Sequence, residues 1–144
     1  MGQTRVNGRV VIDTSVVFKW FVAYGESGLD QAWSLLNSHR NGEIMLVAPS
    51  IAVTEIANLL SYLEIHSDDA TEFLADFERT HVVLFETTYQ RARRVLKCAF
   101  ENRITVYDAS FLALAQELEC PLVTADRRAF GSIPAGVAEV QLIL

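Results

Sequence analysis

Five short, continuously apolar runs alternate with longer stretches of helical periodicity, and this constrains the 144-residue chain more than any other feature. The runs lie at 10–12, 45–48, 82–85, 121–124 and 140–143. A strand that is apolar without alternation is covered on both of its faces. Between the runs, helical patterns occupy 16–21, 29–41, 50–63, 67–80, 87–102 and 106–119. Start signals agree with them: Ser50 follows Pro49, Ser67 precedes Asp68-Asp69, and Thr105 stands three residues before Asp108 as in a capping box. Strands alternating with helices imply a mostly parallel sheet flanked by helices. In such sheets ligands collect at the carboxyl ends of the strands, which directs attention to the residues found there.

A hydrophobic fraction of 51% and a charged fraction of 21% supply enough apolar surface for a packed core. Disorder is therefore not expected. The length suits one domain spanning 1–144, with no linker, repeat or low-complexity segment. The opening residues lack the apolar run of a secretory signal, and the stretch 44–53 is short and interrupted by Pro49. The expectation is a cytoplasmic protein with no membrane association. Cys98 and Cys120 form neither a disulfide framework nor a zinc pattern and are expected to be reduced and buried. His39, His66 and His81 show no ligand spacing. A net charge of −6 argues against gripping duplex DNA through a broad basic face. Charge is nevertheless segregated, with acids from Glu64 to Glu78 and bases from Arg91 to Arg103.

Four carboxylates stand at informative places. Asp13 directly follows Val10-Val11-Ile12, and Asp126 follows Leu122-Val123-Thr124 after one residue. Each falls at the carboxyl end of an expected strand, although a helix cap or a turn would also use an aspartate there. Glu55 lies three residues after Ala52 and four before Leu59, within what reads as the apolar stripe of its helix. A glutamate in such a stripe is costly unless paired, metal-bound or turned to water. Asp108 opens an unusually apolar helix, where capping and metal binding are compatible roles. Converging carboxylates repel one another and call for a cation. Hard oxygen ligands select Mg²⁺ or Mn²⁺, and such clusters serve phosphodiester hydrolysis by metal-activated water.

At these residues the sequence resembles the PIN-domain family, and within it the VapC-type toxins of toxin–antitoxin pairs. The matching segments are Val11-Ile12-Asp13-Thr14-Ser15, Thr54-Glu55-Ile56-Ala57, Tyr107-Asp108-Ala109 and Leu122-Val123-Thr124-Ala125-Asp126. The resemblance implies an α/β fold with a five-stranded parallel sheet in the order 3-2-1-4-5. It implies a metal-binding catalytic set of Asp13, Glu55, Asp108 and Asp126, with Ser15 and Thr124 in support. It further implies a homodimer with ribonuclease activity on RNA, restrained by a cognate antitoxin. Some members carry a further acid shortly after the last aspartate, whereas this chain has Arg127 and Arg128. These arginines are candidate phosphate contacts.

Rival readings fare worse. A HAD-type phosphatase wants a second aspartate two residues after the first, where Ser15 stands. A response-regulator receiver needs an early acidic pair and a late lysine, and no lysine follows Lys97. A PIN-like domain that has lost cleavage and serves as an RNA-binding or protein-interaction module is the alternative from another class. The presence of all four acids speaks against it.

Overall fold

The computed structural model describes residues 8–21 and 27–143. Its elements run in the order β1 (Arg9–Ile12), α1 (Thr14–Phe21), α2 (Leu29–Arg40), β2 (Met45–Pro49), α3 (Ile51–Tyr62) and α4 (Ser67–Arg79). They continue with β3 (Val83–Phe85), α5 (Tyr89–Asn102), α6 (Val106–Leu118), β4 (Leu122–Thr124), α7 (Arg127–Phe130) and β5 (Val140–Leu142). All four strand pairings are parallel, and the sheet order is β3-β2-β1-β4-β5. The expected fold class and strand order are therefore observed.

The continuous apolarity of the central strands has the expected cause. Neighbouring residues of a strand point to opposite faces, and both Val11 and Ile12, like Leu46 and Val47, are buried. Helix α6 packs against β1, β2 and β4 with α5 alongside it, while α1 and α2 pack against β4 and β2. Helix α6 is buried without interruption from Ala109 to Ala115, which explains why its sequence shows so little amphipathic contrast. Its start is capped by Thr105, whose hydroxyl accepts from the Asp108 amide at 3.0 Å. Winding leaves β1 through β2 to β3 in one direction and returns through β4 to β5 in the other. The chain thus changes direction between β1 and β4, where doubly wound sheets open a crevice beyond their strand ends.

Several local expectations need correction. Ser50 occupies the boundary of α3 but its side chain caps nothing, because its backbone is already helical. Ser67 is the first residue of α4; the cap is His66, whose Nδ1 accepts from the Asp68 amide. Helix α1 begins at Thr14, two residues earlier than its apolar pattern. The four-residue α7 carries too little periodicity to be read in sequence. In α3 the core stripe is Ala52, Ile56 and Leu60, at spacing four, so Glu55 stands half-buried at its edge and Leu59 faces outward. His39 is structural: its Nδ1 accepts from the Leu46 amide at 3.1 Å, leaving Nε2 to donate to the Thr80 carbonyl at 2.9 Å. Both cysteines are free and buried, as expected. Among the described residues no helix is long and apolar enough to cross a membrane.

Candidate active site

The strand-end rule locates the site. Asp13, which leaves β1 into α1, and Asp126, which leaves β4 into α7, stand on the two sides of the switch point. Glu55 reaches the same crevice from the second turn of α3, and Asp108 from the first turn of α6. All four line one open cleft, together with Thr14, Ser15, Lys19 and Asn58. The fold therefore brings together four side chains separated by as much as 113 positions (126 − 13) in sequence.

Asp13 is the anchor. It is only 4% exposed, yet its partners are neutral: Ser15 Oγ donates to Oδ2 at 2.7 Å and Thr124 Oγ1 donates to the same oxygen at 2.9 Å. The two hydroxyls are themselves fixed, because Ser15 Oγ accepts from the Ala125 amide and Thr124 Oγ1 accepts from the Asp126 amide, both at 2.9 Å. This small lattice ties the end of β1 to the turn after β4. Ser15 and Thr124 thus share one oxygen of Asp13. Thr14 extends the same pattern, donating to Glu55 Oε1 at 2.8 Å. Asp126 caps α7 by accepting from the Ala129 amide through Oδ1.

The electrostatics of the site are dominated by burial and by its acids. None of the ion pairs among the described residues involves Asp13, Glu55, Asp108 or Asp126. Burial pushes the Asp13 carboxyl above its ordinary range; the Ser15 and Thr124 hydroxyls pull it down, and the Asp126 charge adds to the rise. Glu55 is raised first by burial, against the pull of Thr14, and further by the charges of Asp13, Asp108 and Asp126. Asp108 is raised by burial and by Asp13 and Asp126, with Thr105 opposing. Lys19 also lines the cleft and donates to the Ser27 carbonyl at 2.8 Å.

A hard divalent cation fits this donor set in kind: carboxylate and hydroxyl oxygens, and one buried aspartate whose described partners carry no positive charge. Among the described residues no group of three or more acids, histidines or cysteines is already arranged to hold a metal ion. The hydroxyls of Ser15 and Thr124 hold Asp13, Thr14 holds Glu55 and the Ala129 amide holds Asp126, while Glu55, Asp108 and Asp126 are only partly buried. Arg127 and Arg128 do not line the cleft; they lie exposed on α7, immediately beyond Asp126.

Sequence reading missed Thr14, Lys19 and Asn58. A signal existed for two of them: Asn58 is three residues beyond Glu55 on α3 and Lys19 four beyond Ser15 on α1, each one helical turn along the same face. For Thr14 no local pattern points to Glu55, 41 residues away.

Known proteins agree with the fold. The chain is similar in structure to VapBC2 from Rickettsia felis bound to a promoter DNA fragment, at TM-score 0.70 and 14% identity, covering 93% of this chain and 98% of that one. It is similar to a toxin–antitoxin complex from Klebsiella pneumoniae at TM-score 0.67 and 16% identity, covering 94% and 98%. It is also similar to VapBC-5 from Mycobacterium tuberculosis at TM-score 0.60 and 21% identity, again covering 94% and 98%. No curated protein sequence matches the chain significantly. The family description "PIN domain" matches residues 10–135, which contain all four cleft acids. This chain belongs to the PIN-domain family.

Proposed function

We propose that the chain is a Mg²⁺- or Mn²⁺-dependent endoribonuclease, acting as the toxin of a toxin–antitoxin pair. In this reading residues 1–144 form a single nuclease domain that works in the cytoplasm as a homodimer, restrained by a cognate antitoxin. One observation carries the catalytic part: Asp13 is buried in a cleft shared with three further acids, and the side chains described as bonded to it are hydroxyls. An aspartate kept in this state costs stability, and a functional requirement for its charge explains its retention.

Asp13, Glu55, Asp108 and Asp126 would hold the cation and act as the catalytic set. When bound, such an ion lowers the pKa of a coordinated water and stabilises charge at the phosphate. Ser15 and Thr124 keep the Asp13 carboxylate aimed, and Thr14 does the same for Glu55. No side chain is required as a covalent nucleophile. The acidic net charge of −6 favours a single RNA strand threaded locally over a broadly gripped duplex. Arg127 and Arg128, beside the cleft rather than in it, are suited to a phosphate flanking the scissile one. The toxin assignment draws on the fold shared with toxin–antitoxin complexes.

Purified protein incubated with single-stranded RNA tests the reading. Cleavage is expected with Mg²⁺ or Mn²⁺, absent with chelator, and lost in Asp13→Asn. RNA binding without cleavage under any of these conditions would establish the inactive-module alternative. Equal rates on duplex DNA and RNA at physiological salt would refute the substrate preference.

A further inference from the structure

The acid cleft has room for more than an ion and a phosphate. It holds about 530 Å³, within the roughly 300–1,000 Å³ of sites that take a whole small organic group. Beyond the carboxylates two helices give it apolar wall: Phe18 lines it from α1 and Leu59 from α3. Each stands one helical turn beyond a member of the Thr14–Glu55 hydrogen bond, on the same helix face as the residue that ties α1 to α3. Both walls have firm support. The Phe18 ring packs against Phe73 with centroids 4.9 Å apart, and the buried Ile56 and Leu60 anchor the turn of α3 that carries Asn58 and Leu59. Leu59 is nevertheless 41% exposed. Asn58, one turn beyond Glu55, lines the same wall and is exposed as well. Its backbone carbonyl accepts from Ser61 Oγ, but among the described residues no hydrogen bond engages its side-chain amide.

We propose that Phe18, Leu59 and Asn58 form a nucleobase subsite, which takes the base of a nucleotide next to the phosphate held at the acids. Phe18 and Leu59 contact the faces of the base, and the Asn58 amide reads its edge. The proposal rests on the nuclease reading and adds to it a part of the substrate that the acids do not touch. An exposed leucine is ordinary on a protein surface, and so is an unbonded amide. Their coincidence inside an acid-lined cleft is what calls for a ligand with apolar faces and a polar rim, and a nucleobase has that combination. The amide donates through nitrogen and accepts through oxygen, so it can answer a ring nitrogen and the neighbouring exocyclic group with two parallel hydrogen bonds. A base stacked and paired in a duplex offers neither its faces nor its pairing edge, so the subsite selects unpaired strand. A net charge of −6 gives the chain little general attraction for phosphate, which leaves base contacts a larger share of the affinity.

Fluorescence anisotropy with short single-stranded oligoribonucleotides reads the subsite without requiring cleavage. The probes are strands of uridine, of adenosine and of cytidine, with an abasic ribose–phosphate strand of the same length, each titrated in Ca²⁺ and again in chelator. Wild type is expected to bind the base-bearing strands about 10-fold more tightly than the abasic one, the size of one base packed on side chains. Leu59→Ala should remove most of that advantage. Asn58→Asp can only accept, so it should shift the preference by about 10-fold from uridine toward cytidine and adenosine, whose exocyclic amines donate. Far-UV circular dichroism and melting verify the fold of each variant; should Leu59→Ala fail to fold, the abasic comparison and the Asn58→Asp ratio decide by themselves. Equal binding of abasic and base-bearing strands in both media overturns the proposal, even if the protein cleaves RNA. So does an Asn58→Asp variant that weakens every strand alike, which would make Asn58 a support for Glu55. Base-dependent binding that shifts as expected, in a protein that cleaves nothing, would keep the subsite and remove the nuclease reading.

Discussion

Helix α6 carries an acid near each end, and the fold treats them in opposite ways. Glu117, near the carboxyl end, receives Arg91 at 3.0 Å and Arg94 at 3.2 Å, and these guanidinium groups hold its carboxyl below the ordinary range. Asp108, in the first turn, is raised by burial and by the charges of Asp13 and Asp126. Both are partly buried glutamate- or aspartate-type groups on one rigid element. The difference lies in who supplies the counter-charge. At Glu117 the protein supplies it and the acid belongs to the architecture, tying α5 to α6. At the cleft none of the ion pairs among the described residues includes Asp13, Glu55, Asp108 or Asp126. Acidity alone therefore distinguishes nothing; compensation does.

The sharpest way to break this contrast is to neutralise the anchor. Asp13→Asn is expected to reduce metal-dependent RNA cleavage by more than about 100-fold, since removing a ligand costs more than disturbing its support. The fold should persist, because asparagine keeps the shape and can still accept from Ser15 and Thr124. Single-turnover cleavage with matched circular dichroism measures both. Near-full activity would show that the cleft acids are architectural, like Glu117.

Loosening the support should act in the same direction by less. Ser15→Ala or Thr124→Val removes a hydroxyl from Asp13 Oδ2 and is expected to lower cleavage by about 10- to 100-fold. Thr124→Val also leaves the Asp126 amide without its acceptor. A titration of activity against Mn²⁺ concentration should show weaker apparent metal affinity in both variants.

The opposite end of α6 should respond in stability and leave cleavage unchanged. Glu117→Gln breaks charged hydrogen bonds to Arg91 and Arg94 and is expected to cost on the order of 1–2 kcal/mol at neutral pH, read by urea denaturation. The folded pKa of Glu117 is depressed, so its contribution is present above the unfolded value and is lost as pH falls through the folded one. The gap between variant and wild type should therefore close in acid.

Asp108→Asn should give the smallest change, with the reverse sign. Its folded pKa is raised, so in metal-free protein its charge weakens the fold at neutral pH. That penalty lifts as pH falls through the raised value and is gone below the unfolded one. The variant should match or slightly exceed wild type in chelator at pH 7, with the difference vanishing in acid. The helix cap survives, because Thr105 provides it. Millimolar Mg²⁺ or Mn²⁺ should raise the wild-type melting temperature and move the variant much less. Equal destabilisation of Asp108→Asn with and without metal would make Asp108 architectural as well.

Much of this molecule is decided locally and can be read from the chain. Continuous apolar runs mark strands covered on both faces, and the helices between them force parallel pairing, so the alternation alone dictates an α/β sheet. Strand-end positions likewise single out Asp13 and Asp126, because they depend on residues immediately beside them in sequence. Other features depend on contacts between distant segments. The Thr14–Glu55 hydrogen bond, the hydroxyl lattice joining Ser15, Thr124 and Asp13, and the pairing of Arg91 and Arg94 with Glu117 have no local signature. Whether an acid is raised or lowered in pKa follows from burial and from charges brought near by packing, and neither is a property of sequence spacing. Acids at the ends of parallel strands are thus legible in the order of residues along the chain. Which acid is paired, as Glu117 is, and which share an open cleft follows from packing between distant segments, because burial and neighbouring charge exist only once those segments meet.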